Sequence, residues 1–186
     1  MGVNWTLLRH GQTDANWKGV FLGNSDESLN ATGVAQIHDA AAMLKKERFD
    51  LLLYGPSRRT QQTAQILMKE FPWLDAELDS QIREIDFGLF EGLTASQIEQ
   101  AYPQDWERYM EDWQTYTFPG GQSIFDYYSN CKNFTDAVRQ NHAGKSILIV
   151  AHKGFIGCVL SAIRRTGLRS IFDYPLQNGE FISCEQ

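Results

Sequence analysis

The segment Ser146–His152, SILIVAH, constrains the fold more than any other part of the chain. Five apolar residues run in succession, and Ile147, Ile149 and Val150 are β-branched. The run is too short for a core helix and lacks the polar alternation of a strand with one wet face. It therefore reads as a strand covered on both sides. Such a strand needs helices above and below it. Residues 50–55 (DLLLYG) form a second run of this kind, stopped by Gly55-Pro56. Val3–Leu8 reads as a third strand, a short AELD segment follows at 76–79, and EFISCEQ closes the chain as a last strand.

Helical periods separate these runs. Residues 29–47 carry apolar positions at Val34, Ile37, Ala41 and Leu44, with Asn30 or Thr32 near the start. Ser57 sits where an N-cap is wanted for 58–71. Thr94 and Gln97 have the spacing of a capping box. Ser123 heads a helix through His142, and Gly167 is the expected stop of the helix that follows SILIVAH. Strand–helix alternation predicts an α/β fold, three layers α/β/α around a mostly parallel sheet. The stretch from about 86 to 122 reads as a helical insertion over one edge. With 186 residues and no repeat or linker composition, one domain over 1–186 is expected.

Composition excludes some partners. The formal net charge is −6, which argues against nucleic acid or an anionic membrane as the main partner, since both call for a basic face. Cys131, Cys158 and Cys184 are odd in number and widely spaced, so no disulfide framework is suggested. The start, MGVNWTLLRH, lacks a signal-peptide pattern, and a cytoplasmic location is expected. The expected partner is a small molecule. Association as a homodimer is left open by the sequence.

In a sheet of this kind ligands meet the carboxyl ends of the strands. Arg9-His10 follows the first strand, Arg58-Arg59 the second, Glu84 the AELD segment and His152 the SILIVA run. One rim would then gather two histidines, several arginines and a carboxylate. Phosphoryl transfer wants that set. Arginine forks disperse charge on the equatorial oxygens, a neutral imidazole can carry the phosphoryl group, and a carboxyl of raised pKa can protonate the leaving oxygen. Zinc held by two histidines and a carboxylate is the competing chemistry. Arg9 beside His10 weighs against it, because a fixed cation repels the metal. No metal and no cofactor are expected. Three carboxylates compete for the acid role, Glu84, Asp86 and Glu91, and residue chemistry alone does not separate them.

The residues also resemble a known family. LLRHGQTDAN is similar to the R-H-G signature of the histidine phosphatase superfamily, the phosphoglycerate mutase-like proteins. LGNSDESLNATGVAQ, PSRRTQQTAQIL, REIDFGLFEG, FPGGQS and ILIVAHKG resemble its later motifs in order, from Leu7 to about Gly157. The resemblance implies a phosphoglycerate mutase-like fold and a nucleophile at His10. It implies a phosphate pocket of Arg9, Arg59 and His152, with Asn16 contacting phosphate and Gly23 lining the substrate site. It puts the general acid/base at Glu84. Gln12 stands where many members have Glu. Thr60, Gln122 and Lys153 depart from the pattern without removing a reacting group, and Lys153 is either a surface residue or a bias toward a more anionic substrate.

The implied activity is a metal-independent phosphomonoesterase that works through phosphohistidine. The alternatives are a cofactor-dependent mutase and a non-enzymatic phosphate-binding regulator. The mutases carry a longer insertion and a C-terminal tail, and only a handful of residues follow the last strand here, so hydrolysis is expected. Within the family the chain resembles the α-ribazole-5′-phosphate phosphatases of cobalamin assembly. Trp106, Tyr109 and Trp113 recur at helical spacing in the insertion. They either pack it onto the sheet or form an apolar wall for a ring-bearing substrate. His38 and His142 gain no motif support.

Overall fold

The computed structural model describes residues 2–185. The strands are β1 (Asn4–Arg9), β2 (Leu51–Tyr54), β3 (Ala76–Leu78), β4 (Ser146–Ala151) and β5 (Phe181–Glu185). They form one sheet in the order β3-β2-β4-β1-β5. β1, β2, β3 and β4 are parallel, and β5 pairs antiparallel with β1. The helices are α1 (Asp14–Lys18), α2 (Ala31–Leu44), α3 (Arg58–Glu70), α4 (Ala95–Ala101), α5 (Pro103–Glu111), α6 (Ile124–Asn141) and α7 (Lys153–Arg164).

Strand alternation builds the three layers. Trp5, Leu7, Leu51, Leu53, Ile147 and Ile149 pack into one apolar cluster with α6 and α7 residues such as Phe134 and Phe155. Leu8, Leu52, Leu148 and Val150 face the other way, against Ile37 and Leu44 of α2 and Ala64 and Leu67 of α3. Both faces of β4 are thus covered, as its unbroken apolar run requires.

The helix starts follow their caps. Asn30, Ser57 and Ser123 accept from the backbone amides of Gly33, Thr60 and Asp126, and Thr94 with Gln97 closes a reciprocal capping box. The end of α7 corrects the sequence expectation. The helix stops at Arg164, with Arg165 in the left-handed region at φ 58°, and Gly167 lies beyond it and opens a 3₁₀ turn. A non-glycine residue takes the left-handed cap there.

The segment between β3 and α6 holds a 3₁₀ turn (Gly88–Phe90), α4 and α5. Its core is aromatic. Phe90 packs on Tyr102, Trp106, Tyr109, Tyr116 and Phe118 with ring centroids 5.6–6.4 Å apart. Phe21, from the loop after α1, enters the same cluster. Among the described residues no helix is long and apolar enough to cross a membrane.

Candidate active site

Because β1, β2 and β4 run parallel in register, their carboxyl ends lie at one rim, where Arg9 pairs with Ala151 and Tyr54 with Val150. His10 and His152 are the next residues after β1 and β4. Their rings meet edge to face, with centroids 5.2 Å apart, and both are buried.

The two imidazoles are held in opposite tautomers. His10 Nδ1 lies 2.7 Å from the carbonyl of Gly11. A carbonyl only accepts, so Nδ1 carries the proton and Nε2 keeps its lone pair. His152 Nδ1 lies 3.3 Å from Arg59 Nε. A guanidinium only donates, so here Nδ1 is bare and Nε2 carries the proton. That Nε2 is buried and has no hydrogen-bond partner among the described residues. Burial first, and then the Arg59 guanidinium, hold both histidines well below the usual imidazole range. The rim therefore presents one neutral ring with a free lone pair beside one neutral ring with a free N–H.

Arg59 sits in the first turn of α3 and is fully buried. Nη1 donates to the carbonyl of Ser25 at 2.8 Å and Nη2 to that of Gly23 at 2.7 Å. Arg9 is tied less tightly. Its Nη1 donates to Leu176 at 2.8 Å, while its buried Nε has no partner among the described residues. Buried donors of this kind call for an acceptor, and two of them beside a charged fork suit an anion. Thr60 Oγ1 lies 2.8 Å from the carbonyls of both Gly55 and Ser57, so this departure from the family pattern ties α3 to the end of β2.

The structure separates the three candidate carboxylates. Glu84 lies in the loop after β3, with its carboxyl against the first turn of α7. Its Oε2 accepts from the amide of Gly154 at 3.1 Å, and its Oε1 from the amide of Ile85 at 3.1 Å. The Tyr127 hydroxyl is 3.0 Å from Oε1. A Cβ on Gly154 would stand 2.4 Å from Oε1, so only glycine lets the carboxyl this close to the helix. Burial raises the Glu84 pKa, outweighing the three hydrogen bonds and Arg59, which pull it down. Asp86 serves the adjacent turn, accepting from the amide of Gly88 at 2.9 Å. Glu91 accepts from the amides of Gly23 and Ser25 at 2.8 and 2.9 Å.

The other residues singled out in the sequence divide. Asn16 closes the capping box of α1 with Thr13, and its Oδ1 also accepts from Asn178 at 3.1 Å. Asn178 donates to the His10 carbonyl as well. Gln12 Oε1 accepts from Asn30 at 3.1 Å, in the cap of α2. Gly23 has its amide on Glu91 and its carbonyl under Arg59, so its polar groups hold the pocket together. Lys153 is exposed at the first turn of α7. His38 lies away, 3.4 Å from Glu70, and His142 ends α6.

Two cavities meet at Glu84 and Tyr127. A polar one of about 670 Å³ is lined by Asn24, Arg83, Asp86, Gln122 and Asn130. An apolar one of about 180 Å³ is lined by Phe21, Phe87, Tyr109, Phe118 and Phe172, with Lys153 on its wall. Tyr109 thus both packs the insertion and faces a cavity. Trp106 stays within the aromatic core, and Trp113 backs Phe172 at 4.7 Å. Tyr127 and Asn178 were not singled out in the sequence. Tyr127 lies on the inward stripe Ile124, Tyr127, Cys131, Phe134 at the rim end of α6, which marks it as buried. Asn178 sits in a loop with no pattern to find it. Among the described residues no group of three or more His, Cys, Asp or Glu side chains is placed to hold a metal ion.

The sequence profile of the histidine phosphatase superfamily, branch 1, matches residues 5–185. The chain belongs to this superfamily. It is similar to phosphoserine phosphatase 1 of Hydrogenobacter thermophilus, 27% identical over 96% of this chain and 84% of that protein. It is also similar to adenosylcobalamin/α-ribazole phosphatase of Escherichia coli, 22% identical over 93% of this chain and 85% of that protein. Among solved structures, a mycobacterial glucosyl-3-phosphoglycerate phosphatase in complex with VO3 superposes with a TM-score of 0.85. The two are 26% identical, covering 97% of this chain and 91% of that one. The chain is a phosphatase of this superfamily with the three-layer α/β/α fold.

Proposed function

We propose that the chain is a metal-independent phosphomonoesterase that works through phosphohistidine at His10 Nε2. The observation that carries this reading is the opposed pair of tautomers. Only a bare Nε2 can attack phosphorus, and only a protonated Nε2 on His152 can donate to an equatorial oxygen. Arg9 and Arg59 supply the charge that disperses over the remaining oxygens. In the first step the Nε2 lone pair forms the P–N bond, the bond to the leaving oxygen breaks, and Glu84 gives that oxygen its proton. In the second, Glu84 takes a proton from water as the water oxygen attacks phosphorus, and the P–N electron pair returns to His10. The raised pKa of Glu84 suits both directions of transfer.

The aromatic cavity beside Glu84 supports a substrate whose leaving group carries an apolar ring, and α-ribazole 5′-phosphate is the specific substrate we infer. The test is metal-free phosphate release by the wild type and His10→Ala on α-ribazole 5′-phosphate, phosphoserine, 3-phosphoglycerate and a mononucleotide. Release fastest from α-ribazole 5′-phosphate and lost in the variant supports the reading. Preference for phosphoserine moves the substrate to a small polar acid. Isomerisation of 3-phosphoglycerate without release makes the chain a mutase.

A further inference from the structure

Arg59 is held largely by backbone acceptors outside regular secondary structure. Two of its three bonds go to carbonyls of Gly23 and Ser25, in a loop outside any helix or strand. A loop carbonyl fixes a guanidinium only as well as the loop is fixed. On the other side of this loop lies Glu91. Its Oε1 accepts from the Gly23 amide at 2.8 Å and the Ser25 amide at 2.9 Å, and its Oε2 lies 3.1 Å from the Gly23 amide. One carboxylate therefore grips, by their amides, the same two residues whose carbonyls grip Arg59.

We propose that Glu91 is a positioning residue of the phosphate pocket, acting through the Gly23–Ser25 loop on Arg59 and through Arg59 on the tautomer of His152. The inference rests on the phosphatase reading above and extends it to a residue that touches no reacting atom.

Neighbouring contacts show why the carboxylate is needed. Backbone bonds from Phe21 to Leu93 and from Gly92 to Phe21 secure the loop two residues upstream. Asp26 accepts from the Arg58 amide and secures it downstream. Residues 23–25 lie between these anchors, and Glu91 is what holds the amides of Gly23 and Ser25. The fit is close. A Cβ on Gly23 would stand 2.1 Å from the carbonyl of Ile85 and 3.0 Å from Glu91 Oε2, so the loop lies directly on the segment that carries Glu84 and Glu91. Arg59 Nε in turn is the donor that keeps His152 Nδ1 bare. If the loop shifts, Nε loses its aim, and the imidazole is free to move its proton to Nδ1. The charge of Glu91 also favours the buried Arg59 guanidinium.

The chemistry distinguishes substitutions. Glu91→Ala removes both acceptors. Glu91→Gln keeps one oxygen, which in the Oε1 place meets both amides. We expect Glu91→Ala to lower kcat/KM by about 10- to 100-fold, and Glu91→Gln to restore it to within about threefold of wild type. The decisive comparison is a double-mutant cycle. In an Arg59→Ala background Glu91→Ala should cost less than about twofold, because its route to the site is already cut. An equal cost in both backgrounds overturns the proposal.

A second readout is independent of turnover. Imidazole ¹⁵N spectra should show His152 with a bare Nδ1 in the wild type and Glu91→Gln, and mixed tautomers in Glu91→Ala. An unchanged His152 spectrum in Glu91→Ala overturns the proposal. If the wild type hydrolyses no phosphomonoester, the functional reading fails while these spectra still decide the role of Glu91. If Glu91→Ala does not fold, Glu91→Asp draws the carboxylate back by one methylene and reads the same quantities. Wild-type kcat/KM together with a wild-type His152 spectrum in Glu91→Asp then overturns the proposal.

Discussion

The rim at the ends of β1 and β4 and the aromatic chamber under α5 share a wall at Glu84, and they are built in opposite ways. At the rim, polar atoms are held one by one. His10 is set by the next carbonyl in the chain, His152 by Arg59, and Arg59 by two loop carbonyls. In the chamber, Phe21, Phe87, Tyr109, Phe118 and Phe172 come from five separate stretches, and their side chains are set by packing on other rings rather than by side-chain hydrogen bonds. Hydrogen bonds fix direction, so the rim can demand one geometry from every phosphoryl group. Ring packing fixes volume more than direction, so a chamber proposed to take the leaving group could change its guest by trading side chains. On the proposed reading, phosphate chemistry and substrate choice are separable in this chain.

Substitutions should divide along that line. His10→Ala should cut phosphate release by about 10⁴-fold or more on every substrate while leaving thermal unfolding cooperative. A loss confined to one substrate would contradict the division. Glu84→Gln should slow alkyl phosphates by about 10²- to 10⁴-fold, and p-nitrophenyl phosphate far less, since a good leaving group needs no proton. Equal slowing of both would remove Glu84 from the acid role. Arg59→Ala should cost about 10²- to 10³-fold in kcat/KM irrespective of leaving group.

On the chamber side, Phe172 is exposed and carries little of the core. Phe172→Ala should raise KM for a ring-bearing phosphate by about tenfold, leave KM for phosphoserine unchanged, and move stability by less than about 0.5 kcal/mol. Phe118→Ala sharpens the contrast. That ring is 1% exposed and packs on Phe87, Phe90, Tyr109 and Tyr116, so its loss should cost about 3–5 kcal/mol of stability in denaturant unfolding.

The smallest effect is on pH dependence. Both rim histidines have folded pKa values below the ordinary 6.5, so the unfolded chain binds more protons as pH falls through that value. Stability should be lost downward from there. Glu84, raised above 4.5 in the fold, works in the opposite sense as pH falls toward its folded value. Two groups oppose one, and the net expectation is a lower Tm at pH 5.5 than at pH 7. His10→Gln should flatten that slope, and an unchanged slope would contradict the assignment.

The same division governs what could be read in the sequence. Candidate groups at the rim follow their strands by one or a few residues, so DLLLYG locates the Arg58-Arg59 pair and SILIVAH locates His152 once they are recognised as strands, and the resemblance to the family motif chooses Arg59 from the pair. Capping residues Ser57, Thr94 and Ser123 were equally legible, because a cap is a local bond, and for α2 the structure chooses Asn30 over Thr32. The end of α7 was not, since Arg165 takes a conformation for which glycine is the usual signal. The chamber was legible only in part. Trp106, Tyr109 and Trp113 share a helical period, yet only Tyr109 lines the cavity, because which ring faces inward depends on Phe21 and Phe172 from distant segments. The cradle of Arg59 was invisible, since backbone carbonyls leave no mark in a side-chain pattern. Glu91 was weighed as a proton donor and is found gripping the loop.

The central claim is that His10 Nε2 carries the phosphoryl group. The most direct measurement is a rapid acid-free quench of the enzyme with ³²P-labelled substrate, followed by mapping of the label. The account requires an acid-labile, alkali-stable phosphoryl group on the peptide containing His10, absent in His10→Ala and accumulating in Glu84→Gln when a good leaving group is used. Label on another residue, or full phosphate release by His10→Ala, would contradict it.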